Sequence, residues 1–230
     1  MIVYGRRPVS ELLRGPRRVA RIWATERARR EPWLRGEAVD LARTAELERI
    51  CGSRDHQGVC ASAEPYSYAS AERLLNAPEP LIVALDEIQD PQNLGAVCRT
   101  AEAAGVTGVV LPERRSAQVS AAVCRASAGA VEHLAVSRVR NLADFLAAAK
   151  RAGCWCYGAA AEAPVRYDTP DFAGGVVLVL GSEGRGLRPR VAAACDELVS
   201  IPLRGRIGSL NLSAAAAILL YRILQRREGA

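Results

Sequence analysis

From Leu81 onward, short apolar runs alternate with longer stretches in which apolar residues recur every three or four positions. The short runs read as strands buried on both faces, and the longer stretches as helices that cover them. Strands are expected at Leu81–Leu85, Gly108–Leu111, Leu134–Val136, Cys154–Gly158, Val176–Leu180 and Leu198–Ile201. Helices are expected at Asn93–Ala104, at Ser116–Ala126 with Ser116 as cap, at Leu142–Arg151, and at Leu210–Gln225 with Ser209 as cap and Asn211 in the first turn. Such alternation predicts an α/β fold, a mostly parallel sheet with helices on its faces.

The pattern before Leu81 differs. A short helix around Ser10–Leu13, an alternating strand at Val19–Ala24, helix-like spacing over Ala38–Ile50 and a closing strand at Gly58–Ala61 describe a small α/β unit. A short helix near Ala71–Leu75 precedes Asn76-Ala77-Pro78-Glu79-Pro80, whose two prolines mark a boundary. The expected organisation is a first domain over 1–64, a linker over 65–80 and a second domain over 81–230.

Charge adds a class of partner. The net charge is +6, and ten arginines fall within the first 36 residues against Glu11, Glu26 and Glu31. That density suits a phosphate-facing surface, and equally a solvated arginine-rich face. Lys150 is the only lysine, so the composition has favoured arginine. The seven cysteines contain no C-x-x-C pair, which reads as reduced thiols in a cytoplasmic protein and no metal site. No apolar run reaches membrane-spanning length, and the N-terminus lacks a leader-like apolar stretch, so no membrane partner is expected.

Three loops follow three of the expected strands. The first runs from Asp86 to Gly95 into Ala96-Val97-Cys98-Arg99. The second, Gly181-Ser182-Glu183-Gly184-Arg185-Gly186, is a glycine turn that reads as a ligand loop or as a tight strand-to-helix connection. Its order is G-x-x-G-x-G, late in the chain, which disfavours a nicotinamide dehydrogenase, and it carries Glu183 where a polyphosphate cradle avoids an anion. The third runs from Pro202 to Ser213. Taken singly, Asn93 and Asn211 read as helix caps and Arg99 as a surface charge.

Together the motifs are specific. Asn93-x-Gly95-x-x-x-Arg99, then Leu178-Val179-Leu180-Gly181-x-Glu183-Gly184-x-Gly186, then Ile201-Pro202 with Ser209-Leu210-Asn211-x-Ser213, resemble the SpoU (TrmH-like) RNA ribose 2′-O-methyltransferases of the SPOUT superfamily. Ala126-Ser127-Ala128-Gly129-Ala130 is similar to that family too, while Tyr4-Gly5 and His56-Gln57-Gly58-Val59 resemble the substrate-binding domain of its rRNA-directed branch. The resemblance implies S-adenosylmethionine as cofactor, RNA as substrate, a trefoil knot in the C-terminal third and a homodimer with the active site at its interface. It implies catalytic roles for Asn93, Arg99, Glu183, Ser209 and Asn211. Cofactor contacts are implied for Leu180, Gly181, Glu183, Gly184, Ile201, Leu203 and Leu210. Arg6, Arg7, Arg17, Arg18, His56 and Gln57 are expected to face RNA.

The chemistry suits these residue types. In-line attack of a ribose hydroxyl on a methyl group depends heavily on positioning. No histidine lies in the three motifs, which removes the usual base. Arg99 is either the activator or a clamp on the neighbouring phosphate that stabilises the forming alkoxide. The clamp is preferred, because a guanidinium stays protonated at ordinary pH. An rRNA guanosine of the large subunit is the expected target. A tRNA ribose methyltransferase and a catalytically silent RNA-binding assembly factor are the rivals.

Overall fold

Strand alternation sets up two cores, one on each face of the main sheet. In Leu81–Asp86, Leu81, Val83 and Leu85 enter one core while Ile82 and Ala84 enter the other. In Gly175–Gly181 the same alternation divides Val176, Leu178 and Leu180 from Val177 and Val179. A period of two is what a strand buried on both faces requires.

The computed structural model describes residues 1–229. In the first part of the chain, β1 (Ile2–Tyr4), α1 (Arg6–Arg14), β2 (Val19–Ala24), α2 (Glu26–Arg29), β3 (Val39–Leu41), α3 (Thr44–Cys51) and β4 (Val59–Ala63) follow in order. They form a four-stranded sheet, β1-β4-β2-β3, in which only β2 and β3 are parallel. After α4 (Ala71–Leu75) come β5 (Leu81–Asp86), α5 (Pro91–Ala103), β6 (Gly108–Pro112), α6 (Ala121–Ala126), β7 (Val136–Val139) and α7 (Leu142–Arg151). The chain ends with β8 (Cys154–Ala159), β9 (Val165–Arg166), β10 (Gly175–Gly181), α8 (Pro189–Ala194), β11 (Glu197–Ser200) and α9 (Leu212–Glu228). These strands form a seven-stranded sheet, β7-β6-β5-β10-β8-β11-β9, with every neighbouring pair parallel. Among the described residues no helix is long and apolar enough to cross a membrane.

Several expected boundaries move, each for a local reason. The helix-like spacing over Ala38–Ile50 divides, because Val39–Leu41 pairs in parallel with β2 and the helix begins only at Thr44. The helix expected from Ser116 begins at Ala121, where Ser120 is the cap. Residues before it are held elsewhere: Ala117 N–H donates to the Ile88 carbonyl at 2.7 Å, and Arg115 sits at φ +60°. The strand expected at Leu134 starts at Val136, since a 3-10 turn occupies Ala130–Glu132.

The two sheets share one core, which runs from Val3, Val9 and Leu12 through Cys124 and Val131 to Val83 and Leu85. An ion pair lies across it. Arg17, its side chain 7% exposed, bonds both carboxylate oxygens of Glu132, which is fully buried. Arg17 also donates to the Glu64 carbonyl at 3.0 Å and lies 5.7 Å from the Tyr66 ring centre. Removing one member of such a pair strands a buried charge. Arg17→Ala should therefore lower unfolding free energy by about 3–5 kcal/mol. Arg17→Met combined with Glu132→Leu should cost far less, because neither charge remains. Urea denaturation of the two variants checks this, and equal losses would show that the charge itself matters little.

Candidate active site

The site lies past the carboxyl ends of β5 and β10, central neighbours of the parallel sheet, where such sheets bind ligands. Gly181 ends β10 beside Asp86 at the end of β5. The chain then closes on itself: Ser182 and Gly186 exchange backbone hydrogen bonds of 3.2 and 2.9 Å. A Cβ on Gly181 would come within 2.1 Å of the Gly186 carbonyl carbon, so no larger residue fits that closure. At the tip Gly184 has φ +81° but faces open space.

An ion pair absent from the expected set fixes the base of this loop. Arg188 donates from its backbone N–H to Asp86 Oδ2 at 2.9 Å and from Nε to Oδ1 at 2.8 Å, and it reaches Glu87 at 3.1 Å. The Asp86 side chain is fully buried, so this forked contact is what permits its charge there. An acid closing an otherwise apolar strand was the one available signal.

The start of α9 joins the three loops. Asn211 is its cap, with Oδ1 accepting from Ser213 N–H at 2.9 Å. Its Nδ2 donates to Asn93 Oδ1 at 3.2 Å and to Glu183 Oε1 at 2.8 Å. Glu183 Oε1 also accepts from Leu212 N–H at 3.2 Å, placing a carboxylate on the positive end of the helix. Asn93, Glu183 and Asn211 thus touch, although 90 or more residues separate Asn93 from the other two.

Two placements correct the sequence reading. Ser209 does not cap α9; it lies in the exposed loop two residues ahead, because Asn211 takes the capping position. Asn93 does not cap α5; it lies in the first turn, and Asp90 is the cap. Arg99 is not brought to the cluster within one chain. It lies six residues beyond Asn93, about 9 Å along the axis and on another face, and is exposed.

Two clefts meet at Glu183. One, of about 270 Å³, is lined by all seven expected cofactor residues, Leu180, Gly181, Glu183, Gly184, Ile201, Leu203 and Leu210, together with Ser209. The other, of about 340 Å³, is lined by Asn93, Glu87, Asp90 and Arg185 among others. Ser182, Glu183 and Leu212 belong to both. One cleft is therefore largely apolar, its neighbour polar, and a carboxylate stands in the wall between. Among the described residues no thiol lines either cleft, and burial pushes Cys98, Cys124, Cys156 and Cys195 up to about 12.

Of the residues expected to face RNA, Arg7, Arg18 and Gln57 are exposed, and Arg6 is half-buried in a 2.8 Å ion pair with Glu31. Arg17, contrary to expectation, does not face RNA, since its guanidinium is spent on Glu132 beneath the surface. His56 does not face RNA either. It is 4% exposed, and its Nδ1 accepts from Gly58 N–H at 2.9 Å, shaping the turn before β4.

Residues 80–221 match the model of the SpoU rRNA Methylase family. The chain belongs to that family. Residues 2–69 match a second model, described as RNA 2′-O ribose methyltransferase substrate binding. By family the protein is an RNA methyltransferase, with a methylase region and a substrate-binding region in one chain. A 23S rRNA (guanosine-2′-O-)-methyltransferase of Xanthomonas campestris is 42% identical over 87% of this chain and 83% of its own. An uncharacterized tRNA/rRNA methyltransferase of Synechocystis is 39% identical over 98% of this chain, which spans 62% of that relative's length. Among solved structures, an AdoMet-bound rRNA methyltransferase from Sinorhizobium meliloti superposes with TM-score 0.82 at 29% identity, covering 99% of this chain and 87% of that one.

Proposed function

We propose that this SpoU-family protein methylates the ribose 2′-hydroxyl of a guanosine in 23S rRNA in the cytoplasm, using S-adenosylmethionine. The observation that carries the reading is the pair of clefts that share Glu183, whose carboxylate Asn211 ties to Asn93. The largely apolar cleft fits the cofactor: Leu180, Ile201, Leu203 and Leu210 offer apolar walls, and Gly181 keeps the backbone open. When bound there, the cofactor supplies an electrophilic methyl group. The polar cleft receives the nucleotide, and the rRNA choice rests on the Xanthomonas relative.

The chain's own residues then position the acceptor. Glu183 is held on the α9 N-terminus and by Asn211, so its carboxylate keeps one orientation toward both clefts. Asn93 and Asn211 orient the ribose, and Ser209 closes the cofactor side. Arg99 holds the phosphate beside that ribose and stabilises the alkoxide as it forms. Since Arg99 stands off the cluster of its own chain, it serves the cluster of a second copy, which makes the active unit a homodimer. α9 packs on α5 and exposes Ile218 and Tyr221, one helical turn apart, an apolar strip suited to that contact. Arg7, Arg18 and Gln57 on the N-terminal unit grip RNA away from the reacting nucleotide. The same reading carries a trefoil knot in the C-terminal third.

The test is methyl mapping. Purified protein, S-adenosylmethionine and unmodified 23S rRNA should yield one 2′-O-methylguanosine, and unmodified tRNA none. Methylation of tRNA alone would replace the rRNA reading. No ribose methylation of either RNA would leave a silent RNA-binding protein.

A further inference from the structure

The loop between β11 and α9 is longer than the cofactor cleft needs. Residues 202–210 are all exposed, and among the described residues no backbone hydrogen bond ties them down. Leu203 and Leu210 turn toward the cofactor cleft and Ser209 closes it, so their exposure has an explanation. Arg204, Arg206 and Ile207 line neither cleft. Ile207 is 78% exposed, more than any other large hydrophobic side chain among the described residues. Neither arginine has an acidic partner among the described ion pairs.

We propose that Arg204, Arg206 and Ile207 form an RNA contact at the mouth of the site, with the two guanidiniums on phosphates flanking the target nucleotide and Ile207 wedged against the bases beside it. This rests on the reading of the site as an RNA 2′-O-methyltransferase. A ribose within a stacked strand is poorly presented to a cleft, and enzymes that modify nucleotides commonly draw the target out of the stack. An apolar side chain inserted at the vacated step holds the gap, and flanking cations hold the backbone. The charge pattern selects RNA over a second copy of the chain. The chain carries +6 and is rich in arginine. A second copy would bring the same two unpaired cations and the same positive excess to the contact, whereas RNA brings the opposite charge.

The experiment uses the full chain and a 23S rRNA fragment, reading RNA affinity against salt, single-turnover methyl transfer, cofactor affinity and sedimentation. Arg204→Gln with Arg206→Gln should flatten the slope of log K against log salt by about 1.4, at about 0.7 per single-strand phosphate contact. Ile207→Ser should leave that slope unchanged and slow transfer at saturating RNA about tenfold, the scale of one lost apolar wedge. Cofactor affinity should stay at the wild-type value in both. Wild-type slope in the first variant and wild-type rate in the second would overturn the proposal. So would a shift of the variants from dimer to monomer, which would make the loop an interface between copies. If the wild-type chain methylates no RNA, the reading of the site falls, while the salt slope still judges the loop by itself.

Discussion

Neither Arg99→Ala nor Asn211→Ala should methylate RNA at a useful rate, yet an equal mixture of the two chains should recover about a quarter of wild-type activity. The first half of this follows from the chemistry. Arg99→Ala removes a cation held for the transition state, and such losses cost about 10²-fold or more in rate. Asn211→Ala unties the contact that holds Glu183 and Asn93 together and removes the cap of α9. The recovery follows from geometry. Asn211 bonds both Asn93 and Glu183 within one chain, whereas Arg99 is exposed about 9 Å further along α5 and bonds none of them. If each site combines one copy's cluster with the other's Arg99, a mixed dimer holds one intact site and one doubly damaged site. Random exchange makes half the dimers mixed. The measurement is single-turnover transfer after co-refolding or co-expression, with calorimetry showing that Arg99→Ala still binds the cofactor. A mixture no more active than its parents would place Arg99 in its own chain's site, and wild-type activity of Arg99→Ala alone would make it an ordinary helix charge. Arg99→Lys should fall between alanine and wild type, because lysine keeps the charge and loses the fork.

Much of the second domain was legible because buried parallel strands leave a strong signal. Leu142–Arg151 is reproduced to the residue as a helix, and Val176–Leu180 as a strand extended by one glycine at each end. The errors fall where side chains, not periodicity, decide the boundary. Ser116 and Ser120 are equally good caps in sequence, and the Ala117 bond to Ile88 selects the later one. Ser209 and Asn211 pose the same choice, settled by what Asn211 reaches across the site. Val39–Leu41 has helical spacing with its neighbours, yet pairing with β2 overrides it. Arginine density could not separate RNA-facing side chains from structural ones. Arg17 and Arg18 are adjacent in sequence, but one is sealed against Glu132 and the other lies in solvent. The parallel sheet delivers three loops past its carboxyl ends, and that brings Asn93, Glu183 and Asn211 together across the chain. The Asp86–Arg188 pair leaves little mark in the sequence, because its members lie 102 residues apart and neither belongs to a repeated pattern.

Gly181→Ala should abolish methyl transfer, whereas Gly184→Ala should only weaken it. The two glycines lie in one loop but serve different needs. At Gly181 an added Cβ would lie 2.1 Å from the Gly186 carbonyl carbon, 2.3 Å from its oxygen and 2.4 Å from Leu187 N, all backbone atoms that cannot swing aside as a side chain would. The loop must open, carrying Glu183 off the α9 N-terminus and away from Asn211. A displacement of about 1 Å at reacting groups can cost 10²-fold in rate, and this clash demands at least that. At Gly184 no atom lies near the added Cβ, so alanine meets only the strain of φ +81°, about 1 kcal/mol. Stability should fall less steeply than activity, because the loop lies past the carboxyl ends of the strands while its base is held by Asp86 and Arg188. Circular dichroism and thermal melts should show both variants folded. Calorimetry should show S-adenosylmethionine affinity lost in Gly181→Ala and reduced severalfold in Gly184→Ala. A folded Gly181→Ala that binds the cofactor as wild type does would show that the loop opens without moving the cleft, and the cofactor would then have to lie elsewhere.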